Sequence, residues 1–178
     1  MDSVSLIKPT TRLEKEYLSF YNEWKQSGEV MIPWVIERSP FEFGKMVQSL
    51  YDNENELKLP KGWVPDSTYW LVNEESRILG CVNIRHKLTE KLLNEGGHIG
   101  YGIRPSERRK GYAARLLELS LEKADLIGIR KVLVVCDDYN TASRKTILRN
   151  GGIRDDDFTD HQGNVVHRFW ITLNTEKQ

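Results

Sequence analysis

The residues best suited to chemistry lie in one stretch, His98-Ile-Gly-Tyr-Gly-Ile-Arg-Pro-Ser-Glu-Arg-Arg-Lys-Gly-Tyr-Ala113. A strand-like run ends at Arg104, Pro105 breaks it, and a basic turn leads through Gly111 into a long helical pattern. The first turn of a helix has N–H groups with no partner within the helix, and the macrodipole places partial positive charge there. Acidic residues are favoured at such an end, yet this chain places Arg108, Arg109 and Lys110 there. Unaided, each cation is unfavourable by a few tenths to ~1 kcal/mol. The arrangement makes sense when an anion binds, and phosphate is the usual one at a helix N-terminus. Gly111, lacking a Cβ, lets the backbone approach that phosphate closely.

Three phosphate-binding patterns can be compared. A GxxxxGK[ST] loop is absent. Gly100-Tyr-Gly102-Ile-Arg-Pro105 has the first two glycines of a GxGxxG dinucleotide fingerprint but proline at the third. What remains is Arg108-x-x-Gly111-x-Ala113, short by itself and informative only through the elements around it.

Those elements can be read from periodicity and breakers. Val4–Lys8 reads as a strand. Thr10 or Thr11 caps a helix carrying Leu13, Tyr17, Leu18, Tyr21 and Trp24 at helical spacing, ending near Gly28. Phe41–Tyr51 reads as a second helix and residues 53–65 as a loop. Thr68–Asn73 and Arg77–Arg85 form a hairpin, and His98–Arg104 is a further strand. Tyr112–Ile127 is strongly amphipathic, with Leu116, Leu117, Leu121 and Ala124 on one stripe, and Gly128 stops it. Lys131–Cys136 is a continuous apolar run, as expected of a central strand covered on both faces. Thr141–Asn150 is helical, and strands at 153–159 and 165–173 flank the turn 160–164. This order gives one α/β domain of mixed α+β character, a mixed sheet of about six to seven strands with about four helices on its faces.

Composition narrows the function classes. The 178 residues suffice for one domain with a sizeable core, burying roughly 70% of the unfolded surface. Lys and Arg total 26, as do Asp and Glu, so no basic excess speaks for a nucleic-acid partner. The longest apolar runs have five residues, such as 132–136, well short of the ~20 that span a membrane. The N-terminal residues lack a signal-peptide pattern, which makes the cytoplasm the expected compartment. Cys81 and Cys136 lie in apolar runs and read as reduced core thiols. Neither CxxC nor HxxxH occurs, and no metal is expected.

In this setting Arg108-x-x-Gly111-x-Ala113 resembles the pyrophosphate-binding motif of the GNAT superfamily of acyl-CoA-dependent N-acetyltransferases. Asn140-Thr-Ala-Ser143, with Gly151 closing the next helix, is similar to that family's downstream Asn-x-x-Ser helix. The resemblance covers Tyr69 to Leu173 in the family's order. It implies a splayed sheet, a cofactor-binding core at about 68–173 and a variable acceptor-side region at about 1–60. It further implies that the backbone of Tyr101, Gly102 and Ile103 meets pantetheine, with Val134–Cys136 as the opposite wall. The amides of Arg109, Lys110, Gly111, Tyr112 and Ala113 would hold the pyrophosphate. Arg104, Arg108 and Lys110 would meet charged phosphates, and Asn140 and Ser143 would lie beside the cofactor.

The activity implied is direct transfer of an acetyl group from acetyl-CoA to the primary amine of a small-molecule or peptide acceptor. An amine of reference pKa ~10.4 costs about 4.6 kcal/mol to deprotonate at pH 7, so a proton acceptor is needed. His98 occupies the strand-start position where the family often has a carboxylate, and is the candidate base. Four residues before Gly151, where many members carry a tyrosine acid, this chain has Ile147, with Tyr139, Tyr112 or water as substitutes. That substitution motivates an alternative, a non-catalytic acyl-CoA-binding or regulatory domain. A nucleotide-phosphate-binding protein unrelated to coenzyme A is a third reading. Trp34, Glu37, Phe41 and Phe43 could form an acceptor wall for a cationic amine, and Asp155, Asp156, Asp157 and Asp160 an acidic rim. The resemblance also makes a homodimer, joined at an edge strand near the C-terminus, an expectation.

Overall fold

The computed structural model describes residues 3–173. Among them the strands are β1 Val4–Ile7, β2 Asp66–Asn73, β3 Ile78–Arg85, β4 Ile99–Ile103, β5 Lys131–Asp137, β6 Ile153–Arg154, β7 Phe158–Thr159 and β8 Val165–Thr172. The α-helices are α1 Glu14–Ser27, α2 Phe43–Asp52, α3 Tyr112–Leu126 and α4 Thr141–Arg149.

The splayed sheet that the resemblance implies takes the form of two sheets. One has the order β1-β2-β3-β4; in the other β5 and β6 flank β8, and β7 also pairs with β8. Every ladder is antiparallel. β5 is therefore buried on its faces, as its apolar run requires, yet pairs along one edge only. The 153–159 strand is also broken: Asp155, accepting from the Trp170 indole N–H at 2.8 Å, begins the interruption between β6 and β7.

Helices cover both faces of the β1–β4 sheet. Tyr17, Phe20 and Trp24 of α1 and Met46, Val47 and Leu50 of α2 pack on Trp70, Val72 and Cys81. Leu116, Leu117 and Ala124 of α3, with Ile147 of α4, pack on the other face against Val82, Ile84 and Ile99 and reach Val132, Val134 and Phe169 of the second sheet. Thr10 caps a single 3₁₀ turn at Thr11–Leu13 before α1, and Gly28 ends α1 in the left-handed region. Unforeseen were a 3₁₀ turn at Trp34–Glu37 and a π-turn at Leu92–Gly96, both beside the site.

Candidate active site

Backbone hydrogen bonding sets the geometry. Arg85 N–H donates to His98 O and Arg104 N–H to Leu79 O, each at 2.8 Å. Antiparallel pairs alternate, so Gly100 and Gly102 turn their amide groups toward β3, while Ile99, Tyr101 and Ile103 turn theirs to the opposite edge. β5 meets that edge at its base. His98 N–H donates to Leu133 O at 2.7 Å, and Leu133 N–H donates to the His98 Nδ1 at 2.9 Å. A side-chain nitrogen here takes the place a backbone carbonyl would hold in a regular ladder, and no β4–β5 ladder continues from it. Gly97 permits this approach, since a Cβ there would lie 2.7 Å from Leu133 O.

Beyond this apex a cleft of about 840 Å³ opens, lined by Ile99–Ile103 on one side and Val135–Asp137 on the other. At its far end stands the first turn of α3. Arg109 (φ 62°) and Gly111 (φ 85°) are both left-handed, which bends the chain sharply into the helix. Gly111 supplies no side-chain cap, and no acidic residue lies in the first turn. Arg108, Arg109, Gly111, Tyr112 and Ala113 all line the cleft, and α4 adds Lys145 and Arg149, which sequence reasoning missed. This end thus presents amide donors and four cations, suited to phosphate oxygens.

The expected site residues separate on inspection. Arg108 lies in the cleft wall, its Nε donating to Ile103 O at 3.2 Å, its guanidinium paired with Glu29 and 4.9 Å over the Trp24 ring. Asn140 caps α4 through Ser143 N–H at 3.0 Å, and Ser143 Oγ lies 3.0 Å from the Tyr101 hydroxyl; all three line the cleft. Arg104 does not. It is 3% exposed and ties β4 to α1, donating to Glu23 at 2.5 Å and to Ser19 Oγ at 2.6 Å. Lys110 pairs with Glu107 at 2.8 Å outside the cleft wall. Gly102 has its amide committed to β3; its contribution is steric, because a Cβ would lie 1.9 Å from Ile32 O.

His98 does not fit the expected role of base. Its Nδ1 already accepts the Leu133 N–H, so the neutral ring carries its proton on Nε2 and has no free lone pair. Burial and the neighbouring Arg85 cation push its pKa down to about 4. The apex instead presents Glu95, an exposed carboxylate in the π-turn, together with Arg85 and Trp34. The only sequence signals for the two charged groups were an arginine ending an apolar strand and an acid before Gly96-Gly97-His98.

Ile147 is fully buried, and Tyr139 is 80% exposed and bound to Asp137, so neither enters the cleft. Of the expected acceptor wall only Trp34 lines the cleft: Phe43 is core, while Phe41 and Glu37 face solvent. Asp155, Asp157 and Asp160 are engaged by Trp170 and Arg168, by Arg154 and His167, and by Asn164 respectively. Both cysteines are buried; Cys136 lies in the cleft wall, its thiol pushed up to about 11 by burial. Among the described residues no group of three or more His, Cys, Asp or Glu could hold a metal, and no helix is long and apolar enough to cross a membrane.

Comparison with known proteins returns the same architecture. No curated protein matches the sequence closely enough to count. Among solved structures, the chain is similar to a ribosomal L7/L12 α-N-protein acetyltransferase in complex with coenzyme A (14% identity, 98% of this chain and 96% of that one, TM-score 0.70). It is similar also to a microcin C7 self-immunity acetyltransferase in complex with acetyl-CoA and AMP (16%, 97% and 94%, 0.66) and to a Vibrio cholerae spermidine N-acetyltransferase (12%, 96% and 94%, 0.62). At such identities these likenesses establish the fold. The acetyltransferase (GNAT) domain profile matches residues 6–153, which span the two-sheet split, the amide-lined turn and the start of α3. With most of its length inside that match, the chain belongs to the GNAT family of acetyltransferases.

Proposed function

We propose that this protein transfers the acetyl group of acetyl-CoA directly to a primary amine entering at the apex of the β4–β5 split. The observation that carries the reading is the split itself, open-edged along Ile99–Ile103 and ending at an uncapped helix N-terminus flanked by cations. The residues fit the donor. Tyr101 and Ile103 direct amide groups into the split, and Arg109 through Ala113 offer N–H donors where the pyrophosphate would lie. Arg108 and Arg109 supply charge, with Lys145 and Arg149 across the cleft, and Asn140, Ser143 and Tyr101 give polar contacts along the arm.

When bound, the donor supplies a thioester carbonyl at the apex. The amine nitrogen forms a bond to that carbonyl carbon, the carbon–sulfur bond breaks, and the electron pair leaves with the thiolate. One amine proton must also depart. Glu95, the cleft's carboxylate at this end, accepts it directly or through water. Thiolate, with a reference pKa of ~8.5, needs no dedicated acid, so Ile147 in the tyrosine position is compatible with turnover.

The test is release of free coenzyme A thiol with a broad panel of amines, for the wild type and Glu95→Gln. Amine-dependent release is expected, with kcat for Glu95→Gln lower by 10²–10⁴-fold and acetyl-CoA affinity unchanged. Binding of acetyl-CoA without acetylation of any amine would favour a non-catalytic binding domain. Equal binding of ATP and coenzyme A would exclude a pantetheine-specific groove.

A further inference from the structure

Arg85 ends β3 at the apex of the cleft, opposite Asp66 of β2. Its Nη1 donates to Gly96 O at 2.9 Å and Gly97 O at 3.1 Å, which anchors the guanidinium. Among the described residues its Nε and Nη2 have no hydrogen-bond acceptor, and no carboxylate forms an ion pair with it. Asp66 is committed elsewhere, accepting from Asn83 Nδ2 at 2.6 Å and from Asn53 Nδ2 at 3.1 and 3.3 Å. Asp66 offsets the Arg85 charge from across the ladder but does not bond to it, and a planar fork with free N–H groups is the shape that binds a carboxylate.

Donor phosphates do not fill this need. β4 separates Arg85 from the α3 turn, and its five residues at about 3.4 Å each cover roughly 14–17 Å. The phosphate end also has cations of its own. Arg85 stands instead where the acyl group and acceptor must meet. Beside it, Glu95 immediately precedes the Gly96 carbonyl that Arg85 grips, and Ile32, Pro33 and Trp34 supply an apolar wall. One fixed cation, one carboxylate and an apolar surface complement a molecule with an anion, an amine and an apolar side chain.

We propose that Arg85 selects the acceptor: the site takes a primary amine with a carboxylate close by, an α-amino acid or an analogue of one. The carboxylate engages the Arg85 guanidinium and the amine faces Glu95, which places the nitrogen toward the thioester. A polyamine would set its second cation against Arg85. This inference rests on the acetyl-transfer reading above.

The experiment compares amino acids with their α-carboxamides and decarboxylated amines, with spermidine as a cationic control, by kcat/KM in the wild type, Arg85→Gln and Arg85→Lys. The wild type is expected to favour the acid over the amide by roughly 10- to 100-fold, the range spanned by charge-assisted hydrogen bonds. Arg85→Gln should raise the acid's KM and bring the ratio near one, leaving the KM for acetyl-CoA unchanged; Arg85→Lys should restore part of the preference. If Arg85→Gln does not fold, the wild-type ratio decides alone. Equal turnover of acid and amide, preference for spermidine, or no acetylation of any amino acid by protein that binds acetyl-CoA would overturn the inference while leaving the donor groove standing. Failure of the wild type to bind acetyl-CoA, measured separately by calorimetry, would remove the groove and this inference with it.

Discussion

Holding the two sheets together through His98 makes the protein sensitive to mild acid. The Leu133 N–H needs the unprotonated Nδ1, and burial beside Arg85 lowers the His98 pKa from 6.5 to about 4. In the unfolded chain the imidazole regains a pKa near 6.5 and takes up a proton as pH falls below that value, whereas the folded protein does not until about pH 4. The unfolded state binds more protons across this window, so stability is full above pH 6.5 and falls as pH drops toward 4. At 1.36 kcal/mol per pKa unit, the loss between pH 7 and pH 5 is about 2 kcal/mol, or roughly 4–8 °C in Tm for a domain of this size. Urea unfolding of the wild type and His98→Asn at the two pH values is the assay, because an asparagine carbonyl can accept the Leu133 N–H and does not titrate. The variant is expected to lose about 2 kcal/mol less than the wild type on acidification, contributions from the rest of the chain being common to both proteins. Equal losses, or an NMR titration placing His98 near 6.5, would refute the reasoning.

Two further substitutions test the division between structure and chemistry. Gly102→Ala forces a Cβ into contact with Ile32 O, and overpacking of this sort costs about 1–3 kcal/mol. Thermal melts should report that loss, and the acceptor KM should rise as residues 29–34 are pushed off β4; a variant as stable as the wild type would contradict the close approach. Arg104→Met removes the buried partner of Glu23 and should cost about 2–4 kcal/mol, below a fully buried pair because Glu23 is partly exposed. Calorimetry should find acetyl-CoA affinity within about twofold of the wild type, and a large drop would return Arg104 to the phosphate site.

Signals that act over a few residues were legible in the sequence. The Arg108-to-Ala113 turn, the amphipathic stripe of α3 and the Asn140 cap each depend on neighbours within one or two helical turns, and their positions follow from local chemistry. Features set by distant partners were not. The apolar run of β5 reports that its faces are covered and says nothing about whether its edge is paired, so the split could not be read from it. Arg104 and Arg108 look alike in sequence and both meet distant carboxylates, Glu23 and Glu29, but Arg104 is buried against α1 while Arg108 stays in the cleft wall. The sequence reading began the strand at His98, one residue before β4 starts, and the use of His98 as an acceptor depends on Leu133, 35 positions on. Arg85 and Glu95 carried no motif, because their shared place at the apex is created by the fold.

The open edge of β4 as the donor groove is tested most directly by amide hydrogen exchange, residue by residue, with and without coenzyme A. Protection is expected at Tyr101, Ile103 and the amides from Arg109 to Ala113, with none added at Gly100 or Gly102, whose N–H groups already face β3, and with ATP unable to protect Tyr101. Protection confined to other elements, or an equal response to ATP along the whole of β4, would contradict the placement of the donor in the split.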